Sequence, residues 1–336
     1  MSNAELANKV IVILGPTASG KSDLAIRIAK KYNGEIISAD SRQIYKYMPI
    51  GTGRVPKDKN PKSEIRNPKQ IQNPKSKDLF FSGGVRHYLL DFINPKQEYN
   101  VSHFKKDTEK IIKDILGRGK LPIICGGTGF WISALTDNKI FPEVKPDKDL
   151  RKRLEKESAE KLFAKLKKLD AERASVIDKY NKIRLIRALE ICKAIGRVPK
   201  LVISNSRQEK NLNYKLPITN YQFIQIGIDI PKEKLYQNIK ARLEKRFKAG
   251  LIKEVENLRK IYKLSWKKIQ SFGLAYYWIP LYLKKKLSKE ELFEKIYQAE
   301  RDYSKRQMTW FKKDGRIFWI KNNQIIIPAI NNFLGK

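Results

Sequence analysis

The segment Gly15–Ser22 reads GPTASGKS, which matches the G-x-x-x-x-G-K-S pattern of a phosphate-binding loop, or P-loop. An apolar run, Val10–Leu14, precedes it, and Asp23–Lys30 follows with apolar residues at helical spacing. This order of strand, glycine loop and helix is the context in which the motif carries meaning. Backbone N–H groups of such a loop, together with the positive end of the helix, bind phosphate oxygens. The sequence therefore predicts an α/β protein that binds a polyphosphate.

Two side chains of the loop carry the expected chemistry. Lys21 is expected to reach the outer phosphates, and the Ser22 hydroxyl to bind a magnesium ion. The motif leaves open which polyphosphate is bound and what reaction follows.

The charge balance points to a polyanionic partner. The chain has 71 Lys and Arg residues against 35 Asp and Glu, a net charge of +36. Such a field attracts polyanions and speeds their encounter with the protein, and nucleic acid is the obvious candidate. A general enrichment in surface lysine is the alternative source of part of this excess.

The cysteines and the first residues predict a cytoplasmic protein. Cys125 and Cys192 lie far apart, in no metal-binding or redox spacing, which suggests a reducing compartment. Residues 1–9 contain no basic n-region, and the apolar run after them is too short for a signal peptide or a membrane span. No membrane association is expected.

Two further strand ends provide candidate site residues. Glu35–Ala39 is a predicted buried strand that ends at Asp40, and Leu121–Cys125 is another that ends at the GGTG turn Gly126–Gly129. Ligands of open α/β sheets bind at the carboxyl ends of strands, so Asp40 is expected near the P-loop. There it could bind magnesium or accept a proton, although a turn or helix cap is the structural alternative. Thr128 could offer its hydroxyl to a phosphate, although GGTG is also typical of a plain tight turn.

The predicted core domain covers residues 1–140 and is interrupted by a basic insertion at 57–84. Asn-Pro-Lys occurs there at residues 60, 67 and 73, in a low-complexity run from which no core can form. We expect a mobile surface insertion. A strand at His87–Phe92 and a helix at Val101–Leu116 follow.

Residues 141–215 are predicted to form a helical subdomain. Leucines occur at helical spacing on one predicted face, and Ile183, Ile186 and Leu189 are expected to point inward from the next helix. Arg184 and Arg187 are three residues apart and therefore neighbours on the helix surface, where they could bind phosphates or simply form a solvated face. The leucines of that face are Leu150, Leu154, Leu162, Leu166 and Leu169.

Residues 216–336 are predicted to return to the core. Tyr221–Asp229 reads as a strand, and the helix after it carries Arg242 and Arg246 beside its apolar stripe, with a break or bend expected at Gly250. The last long helix begins with the capping box Ser288–Glu291. A strand at Arg316–Ile320 follows.

Taken together, these segments resemble the tRNA dimethylallyltransferase (tRNA isopentenyltransferase) family. The resemblance covers nearly the whole chain and keeps the family's order. It rests on the P-loop variant GPTASGKS, Ile37–Ser41, Ile44–Tyr45, Ile50–Thr52, Cys125–Gly129, Arg184–Glu190 and Lys305–Trp310.

The resemblance implies a P-loop NTPase-like parallel sheet flanked by helices, with an inserted helical tRNA-binding subdomain. It implies transfer of a dimethylallyl group from dimethylallyl diphosphate to N6 of the adenosine 3′ of the anticodon, in tRNAs reading codons that begin with U. Asp40 would act as general base, while Lys21, Thr128 and Mg²⁺ bound through Ser22 would stabilise the departing diphosphate. The partners would be the tRNA anticodon stem-loop and dimethylallyl diphosphate, and the protein is expected to be a monomer.

The resemblance also assigns two sets of binding residues. The diphosphate would be bound by Gly15, Pro16, Thr17, Ala18, Ser19, Gly20, Lys21, Ser22, Arg242 and Arg246. The tRNA path would comprise Asp40, Ser41, Arg42, Gln43, Arg151, Ile183, Arg184, Leu185, Ile186, Arg187, Lys305, Arg306, Gln307, Met308, Thr309, Trp310, Phe311 and Lys312.

The chain departs from the family pattern at three motifs outside the diphosphate site. Gly51–Pro56 reads GTGRVP where the family usually has GTAKP, and His87–Asp91 reads HYLLD in place of HHLxD. Gly273–Ala275 replaces a glycine-aromatic-basic turn, which weakens one expected tRNA contact.

Three other activities are considered on the same residues. A P-loop kinase could use Leu89–Asp91 as the end of a Walker B strand, and would consume ATP. A nucleic-acid-binding NTPase would hydrolyse ATP without any transfer. An adenylate isopentenyltransferase would perform the same chemistry on a free nucleotide, but the charge and the C-terminal helices favour tRNA.

Overall fold

The computed structural model describes residues 8–59, 79–139, 141–142, 144–199, 221–321 and 326–336. The chain divides into two compact units, one of Met1–Thr136 with Thr219–Lys336 and the other of Asp137–Ile218. The first unit contains a sheet flanked by helices, and the second is helical.

The sheet is built from short, almost entirely buried strands. Across the described residues its order is β3-β4-β2-β5-β1-β6-β7, and every neighbouring pair is parallel except β3 and β4. Buried parallel strands are covered by helices on both faces, which explains their continuous apolar runs. The strands are β1 (Lys9–Leu14), β2 (Gly34–Ala39), β3 (Phe80–Ser82), β4 (Val85–Tyr88), β5 (Leu121–Gly126), β6 (Gln222–Ile228) and β7 (Ile317–Ile320).

Thirteen helices are found in the described residues. In the first unit these are α1 (Lys21–Tyr32), α2 (Val101–Gly117), α3 (Gly129–Thr136), α8 (Lys232–Lys248), α9 (Leu251–Lys260), α10 (Trp266–Ser271), α11 (Ala275–Leu283), α12 (Lys289–Phe311) and α13 (Ile326–Leu334). In the second they are α4 (Lys148–Leu154), α5 (Ala159–Leu169), α6 (Ala171–Val176) and α7 (Lys182–Ile195). None of these helices is both long and apolar enough to cross a membrane.

The strand register brings the site segments to one edge of the sheet. Leu14 at the end of β1 pairs with Gly126 of β5, and Ala39 at the end of β2 pairs with the same glycine. The P-loop, Asp40 and the GGTG turn therefore leave the sheet side by side. A Cβ atom at Gly126 would overlap the Ala39 carbonyl, so this close approach requires glycine.

Alternate residues of β1 pack into two separate layers. Val10, Val12 and Leu14 face the layer that contains α2 and α3, whereas Ile11 and Ile13 face the layer that contains α1 and α13. The prediction of a mostly parallel sheet flanked by helices is confirmed.

Several local predictions are confirmed. The capping box predicted at Ser288 is present at the start of α12. The break predicted at Gly250 separates α8 from α9, where this glycine has φ of 95° and caps α9.

Four local predictions are wrong. The insertion predicted at 57–84 extends too far, because β3 and the Gly83–Gly84 turn form a hairpin with β4; residues 60–78 lie outside the described part of the chain. The strand predicted at His87–Phe92 ends at Tyr88. Leu169, the last residue of α5, is 56% exposed, since its helix ends there at the Asp170 cap. Ile183 is 82% exposed, because it lies in the first turn of α7, outside the stripe that packs.

The second unit has its own small core. Leu162 and Leu166 of α5 pack with Leu185 and Leu189 of α7. A side chain caps the start of each of its four described helices, namely Asp147, Ser158, Asp170 and Asn181. These caps satisfy backbone N–H groups that have no partner within the helix.

Candidate active site

A cavity of about 530 Å³ opens at the carboxyl edge of the sheet. It brings together the P-loop, the residue after β2 and side chains from α8 and α12, which are more than 190 residues away in the chain. Its lining consists of Thr17, Ala18, Ser19, Gly20, Lys21, Ser22, Asp23, Asp40, Gln43, Thr52, Gly53, Val55, Cys125, Gly126, Asn238, Ala241, Arg242, Lys245, Tyr303 and Gln307.

The P-loop is arranged to receive an anion. The Lys21 ammonium donates to the Pro16 carbonyl at 3.0 Å, and burial lowers its pKa, a shift that Cys125 and Asp40 oppose. A bound anion would favour the charged form of this lysine. Ser19 Oγ is buried and has no hydrogen-bond partner within the described residues. An orphaned hydroxyl in a glycine loop fits a phosphate oxygen as its missing partner.

Asp40 lines the same cavity and its carboxylate is held in one orientation. Its Oδ1 accepts the backbone N–H groups of Arg42 at 2.9 Å and Gln43 at 3.4 Å. The turn-capping interpretation of this aspartate is therefore correct, and it coexists with a position facing the cavity. A carboxylate fixed on one oxygen can accept a proton from a ligand on the other.

Thr128 supports the Asp40 turn and does not line the cavity. Its hydroxyl oxygen accepts the Ser41 N–H at 3.1 Å, and its own N–H donates to the Ala39 carbonyl at 3.1 Å. The threonine thus bonds to the backbone on both sides of Asp40, whereas the sequence interpretation offered its hydroxyl to a phosphate.

Gln307 of α12 joins the two glycine turns. Its Oε1 accepts the Thr17 N–H at 2.8 Å, and its Nε2 donates to the Gly127 carbonyl at 2.8 Å. Gly127 has no room for a side chain, because a Cβ atom there would overlap Nε2. The resemblance placed Gln307 on the tRNA path, but the side chain is buried and sits between the P-loop and the GGTG turn.

The two arginines of α8 have different positions. Arg242 lines the cavity, donates to Thr17 Oγ1 and lies 3.4 Å from a carboxylate oxygen of Glu300. Burial lowers its pKa and Glu300 opposes that shift. Arg246 is buried, pairs with Glu300 and donates to the Gly51 carbonyl at 3.0 Å. Arg246 does not line the cavity.

Sequence interpretation missed Glu300 and Tyr303. Burial raises the pKa of Tyr303 and the charge of Asp40 adds to that shift, while the Arg42 guanidinium lies 4.8 Å from the ring centre. Arg42 also donates to the Phe272 carbonyl at 2.7 Å. A signal existed in α12, because Glu300, Tyr303 and Gln307 recur at helical spacing, as polar residues on a face that the fold buries.

The rest of the predicted C-terminal tRNA segment is divided between surface and core. Lys305, Arg306, Thr309 and Lys312 are exposed and Met308 is half-buried, whereas Phe311 is only 2% exposed and packs against the sheet. Trp310 is 43% exposed and meets Phe130 edge to face, with ring centres 6.3 Å apart.

In the second unit the arginines surround a buried glutamate. Arg151 contacts both oxygens of Glu190, at 2.6 and 2.8 Å, and Arg187 donates to the same carboxylate at 3.0 Å. Arg184 is exposed, whereas Leu185 and Ile186 of the predicted tRNA segment are in the core.

The residues present fit a magnesium ion bound jointly with a substrate. Among the described residues no cluster of three His, Cys, Asp or Glu side chains could hold a metal alone. Ser22 and Asp40 nevertheless line the same cavity. Mg²⁺ typically takes few protein ligands and completes its shell with phosphate oxygens and water.

Fold and site define a class of protein: an α/β protein in which a loop with the P-loop sequence motif and a carboxylate line the same cavity. A family model described as IPP transferase matches residues 43–314, and one described as Isopentenyl transferase matches residues 8–66. The chain belongs to the IPP transferase family of prenyl-transferring enzymes, which confirms the resemblance.

Individual relatives match this chain over nearly its whole length. It is similar to a protein from Acetivibrio thermocellus named tRNA dimethylallyltransferase, with 41% identity over 94% of this chain and 93% of the relative. It is also similar to the crystal structure of a Staphylococcus epidermidis tRNA isopentenylpyrophosphate transferase, at 33% identity, TM-score 0.62, and coverage of 97% and 99%. A eukaryotic dimethylallyltransferase acting on tRNA, 24% identical with TM-score 0.74 over 98% of this chain and 80% of that one, shares the fold.

Proposed function

We propose that the protein transfers the dimethylallyl group of dimethylallyl diphosphate to N6 of the adenosine 3′ of the anticodon, in tRNAs reading codons that begin with U. The observation that carries the proposal is the cavity of about 530 Å³ in which Asp40 faces the P-loop. Family membership supplies the class of reaction, and the cavity supplies the groups that such a reaction needs.

The P-loop side of the cavity would bind the diphosphate. Loop N–H groups, Lys21 and Arg242 would contact its oxygens and stabilise the negative charge that grows as the allylic C–O bond breaks. The Arg242 hydrogen bond to Thr17 fixes the guanidinium against the loop before substrate arrives. Mg²⁺ bound through Ser22 would supply additional neutralisation of the leaving diphosphate.

Asp40 would act on the adenine. The N6 nitrogen forms a bond to C1 of the allylic group from the side opposite to the diphosphate, and the C1–O bond breaks. The attacking amine thereby becomes cationic, and Asp40 takes its extra proton as general base. The backbone hydrogen bonds to Oδ1 hold the carboxylate for this transfer.

The RNA contributes a base that has left its stack. An adenine in an anticodon loop is unpaired and can rotate into a cavity at lower cost than a base in a duplex. The net charge of +36 supports an RNA partner. Arg184 and the exposed basic residues of α12 would contact its phosphates, and we propose that the protein acts as a monomer.

The position of Asp91 argues against a kinase. Its carboxylate lies 2.5 Å from Arg54, and it lines a different cavity from the P-loop. A Walker B aspartate would face the phosphates. A free nucleotide remains the alternative acceptor for the same chemistry.

The decisive test is transfer without ATP. The protein is incubated with unmodified tRNA, Mg²⁺ and radiolabelled dimethylallyl diphosphate, and label is counted in the RNA. We expect label on the adenosine 3′ of the anticodon. Label on free AMP with none on tRNA would move the protein to the adenylate-modifying activity, and absence of label on both would remove the transferase proposal.

The role of Asp40 is tested by Asp40→Ala. We expect tRNA binding and fold to persist while the single-turnover transfer rate falls about 100-fold or more, the usual scale for a general base. A rate near that of the wild type would exclude Asp40 as the base.

A further inference from the structure

A second cavity, of about 220 Å³, lies beside the phosphate site and shares no lining residue with it. It is lined by Lys46, Tyr47, Lys57, Phe80, Leu90 and Asp91. Its walls therefore contain two cations, two aromatic rings and a carboxylate, a combination suited to an anionic ligand with a flat polar ring.

One chain segment forms the rim of both cavities. Gln43 and Val55 line the phosphate cavity, whereas Lys46 and Lys57 line the second one. The Asp91 N–H donates to the Gln43 carbonyl at 3.0 Å, which ties the walls of the two cavities together. The two cavities are therefore neighbours in the fold, joined by one short segment of the chain.

Tyr47 provides an aromatic surface at an unfavourable backbone position. It has φ of 69°, in the left-handed region that a bulky residue rarely adopts. Its ring stacks on Tyr262 with centres 3.8 Å apart and an angle of 13°, and the residue still exposes 38% of its surface. The stack fixes the ring while leaving aromatic surface for a ligand.

Charged groups lie close to the other ring of the cavity, Phe80, with the Lys57 ammonium 6.0 Å from its centre. Arg54 pairs with Asp91 and its guanidinium lies 5.2 Å from the Phe80 ring centre, so both side chains are held in place. Lys46 and Lys57 form no ion pair with a carboxylate in the described part of the chain, and Lys57 is exposed. Two lysines at the mouth suit a phosphate, and the Asp91 carboxylate suits an N–H group of a base.

We infer that this second cavity binds an unpaired nucleotide of the RNA loop that flanks the adenosine being modified. The base stacks on Tyr47 and donates a hydrogen bond to Asp91, and its phosphate lies between Lys46 and Lys57. The inference rests on the proposed function for the identity of the RNA, and it goes further by giving a second base its own site. Unstacked loop bases are recognised in this way, by aromatic stacking and contacts to their edges.

The first experiment uses Tyr47→Gly and Tyr47→Phe in the full chain. The probe is a fluorescent, unmodified anticodon stem-loop, and the dissociation constant is measured by anisotropy. Tyr47→Gly should weaken binding about tenfold, the scale of one lost base–aromatic stack, whereas Tyr47→Phe should bind as the wild type does. Glycine tolerates φ of 69°, so the thermal midpoint of Tyr47→Gly should not fall sharply.

The second experiment removes the two lysines. Lys46→Ala with Lys57→Ala should make the slope of log affinity against log salt less steep by about 0.7, the value for one phosphate of single-stranded RNA. The matched control is Lys110→Ala with Lys113→Ala, two exposed lysines of α2 outside both cavities, which should leave the slope unchanged.

A two-stranded RNA duplex, which has no loop, distinguishes binding at this site from general electrostatic attraction. The wild type and Tyr47→Gly should bind that duplex equally. The inference is overturned if Tyr47→Gly binds the stem-loop as tightly as the wild type, if it weakens duplex binding equally, or if the wild type does not bind the stem-loop. Because binding is measured without transfer, the inference can stand even where the labelling test fails.

Discussion

Each of the two units contains a buried glutamate held between two arginines. In the sheet-containing unit Glu300 lies between Arg242 and Arg246, and in the helical unit Glu190 lies between Arg151 and Arg187. Both carboxylates are 1% exposed. The sequence interpretation assigned Arg242 and Arg246 to the diphosphate and Arg151 and Arg187 to the tRNA path, and it identified neither glutamate as their partner.

The two clusters differ in how much guanidinium remains for a ligand. Around Glu300 the Arg246 side chain is 8% exposed and that of Arg242 is 31% exposed, whereas those of Arg151 and Arg187 are each 35% exposed. A buried carboxylate neutralises and orients its arginines in both places. Around Glu300 one guanidinium lies at the wall of the cavity and the other is buried, whereas around Glu190 both are partly exposed. The same local chemistry thus occurs in two settings that differ in burial.

The largest expected effect is on the free energy of unfolding, through the cluster of Glu300 with Arg242 and Arg246. Glu300→Ala leaves two guanidiniums without their common partner, and breaking a buried ion pair from one side costs about 3–5 kcal/mol. We expect the free energy of unfolding, measured with urea, to fall by that amount. Glu190→Ala should cost less, because its arginines can turn to water. If both variants lose the same free energy of unfolding, the difference in burial between the two clusters does not affect stability.

The next largest expected effect is on the KM for dimethylallyl diphosphate, and it distinguishes the two arginines of α8. Arg242→Ala removes a charge-assisted contact of about 1.5–3 kcal/mol to the diphosphate, so the KM for dimethylallyl diphosphate should rise about tenfold to a hundredfold. Arg246→Ala, the matched control on the same helix, should lower the thermal midpoint and raise that KM much less. A larger KM change for Arg246→Ala would mean that Arg246 reaches the diphosphate.

The smallest expected effect is on the pH dependence of stability, through the cluster of Glu190 with Arg151 and Arg187. Burial by itself raises the pKa of Glu190, but hydrogen bonds from Arg151 and Arg187 outweigh it and hold that pKa below its ordinary value. A lowered folded-state pKa adds stability that is present above the ordinary glutamate pKa, about 4.3, and is lost as the pH falls through the lower value. The thermal midpoint of the wild type should therefore fall more steeply below about pH 4.3 than that of Glu190→Gln. If the thermal midpoints of the two proteins fall in parallel as the pH decreases, Glu190 does not contribute to the pH dependence of stability.

Local chemistry made much of this protein predictable. The glycine loop with its flanking strand and helix, the break at Gly250 and the capping box at Ser288 each depend on a few neighbouring residues. Parallel buried strands also leave their ligand-binding ends at one edge, so the order of the strands along the chain was enough to predict Asp40 beside the P-loop.

The part of the site that α12 contributes could not be predicted in the same way. Gln307 looks like part of a basic surface segment, yet it joins residues 290 and 180 positions away in the chain. Phe311 sits beside exposed residues and belongs to the core. Such assignments depend on which face of α12 the sheet covers, and helical periodicity alone does not say which neighbour a face will meet.

By itself the sequence determined the family, the phosphate-binding loop, the carboxylate beside it and the basic character that suits RNA. Only the tertiary structure decided that α12 connects the two glycine turns, that Glu300 organises the α8 arginines and that Tyr47 faces a second cavity. The physical reason is range: capping, turn chemistry and strand patterning act over a few residues. Buried hydrogen bonds and ion pairs depend on packing between segments hundreds of residues apart.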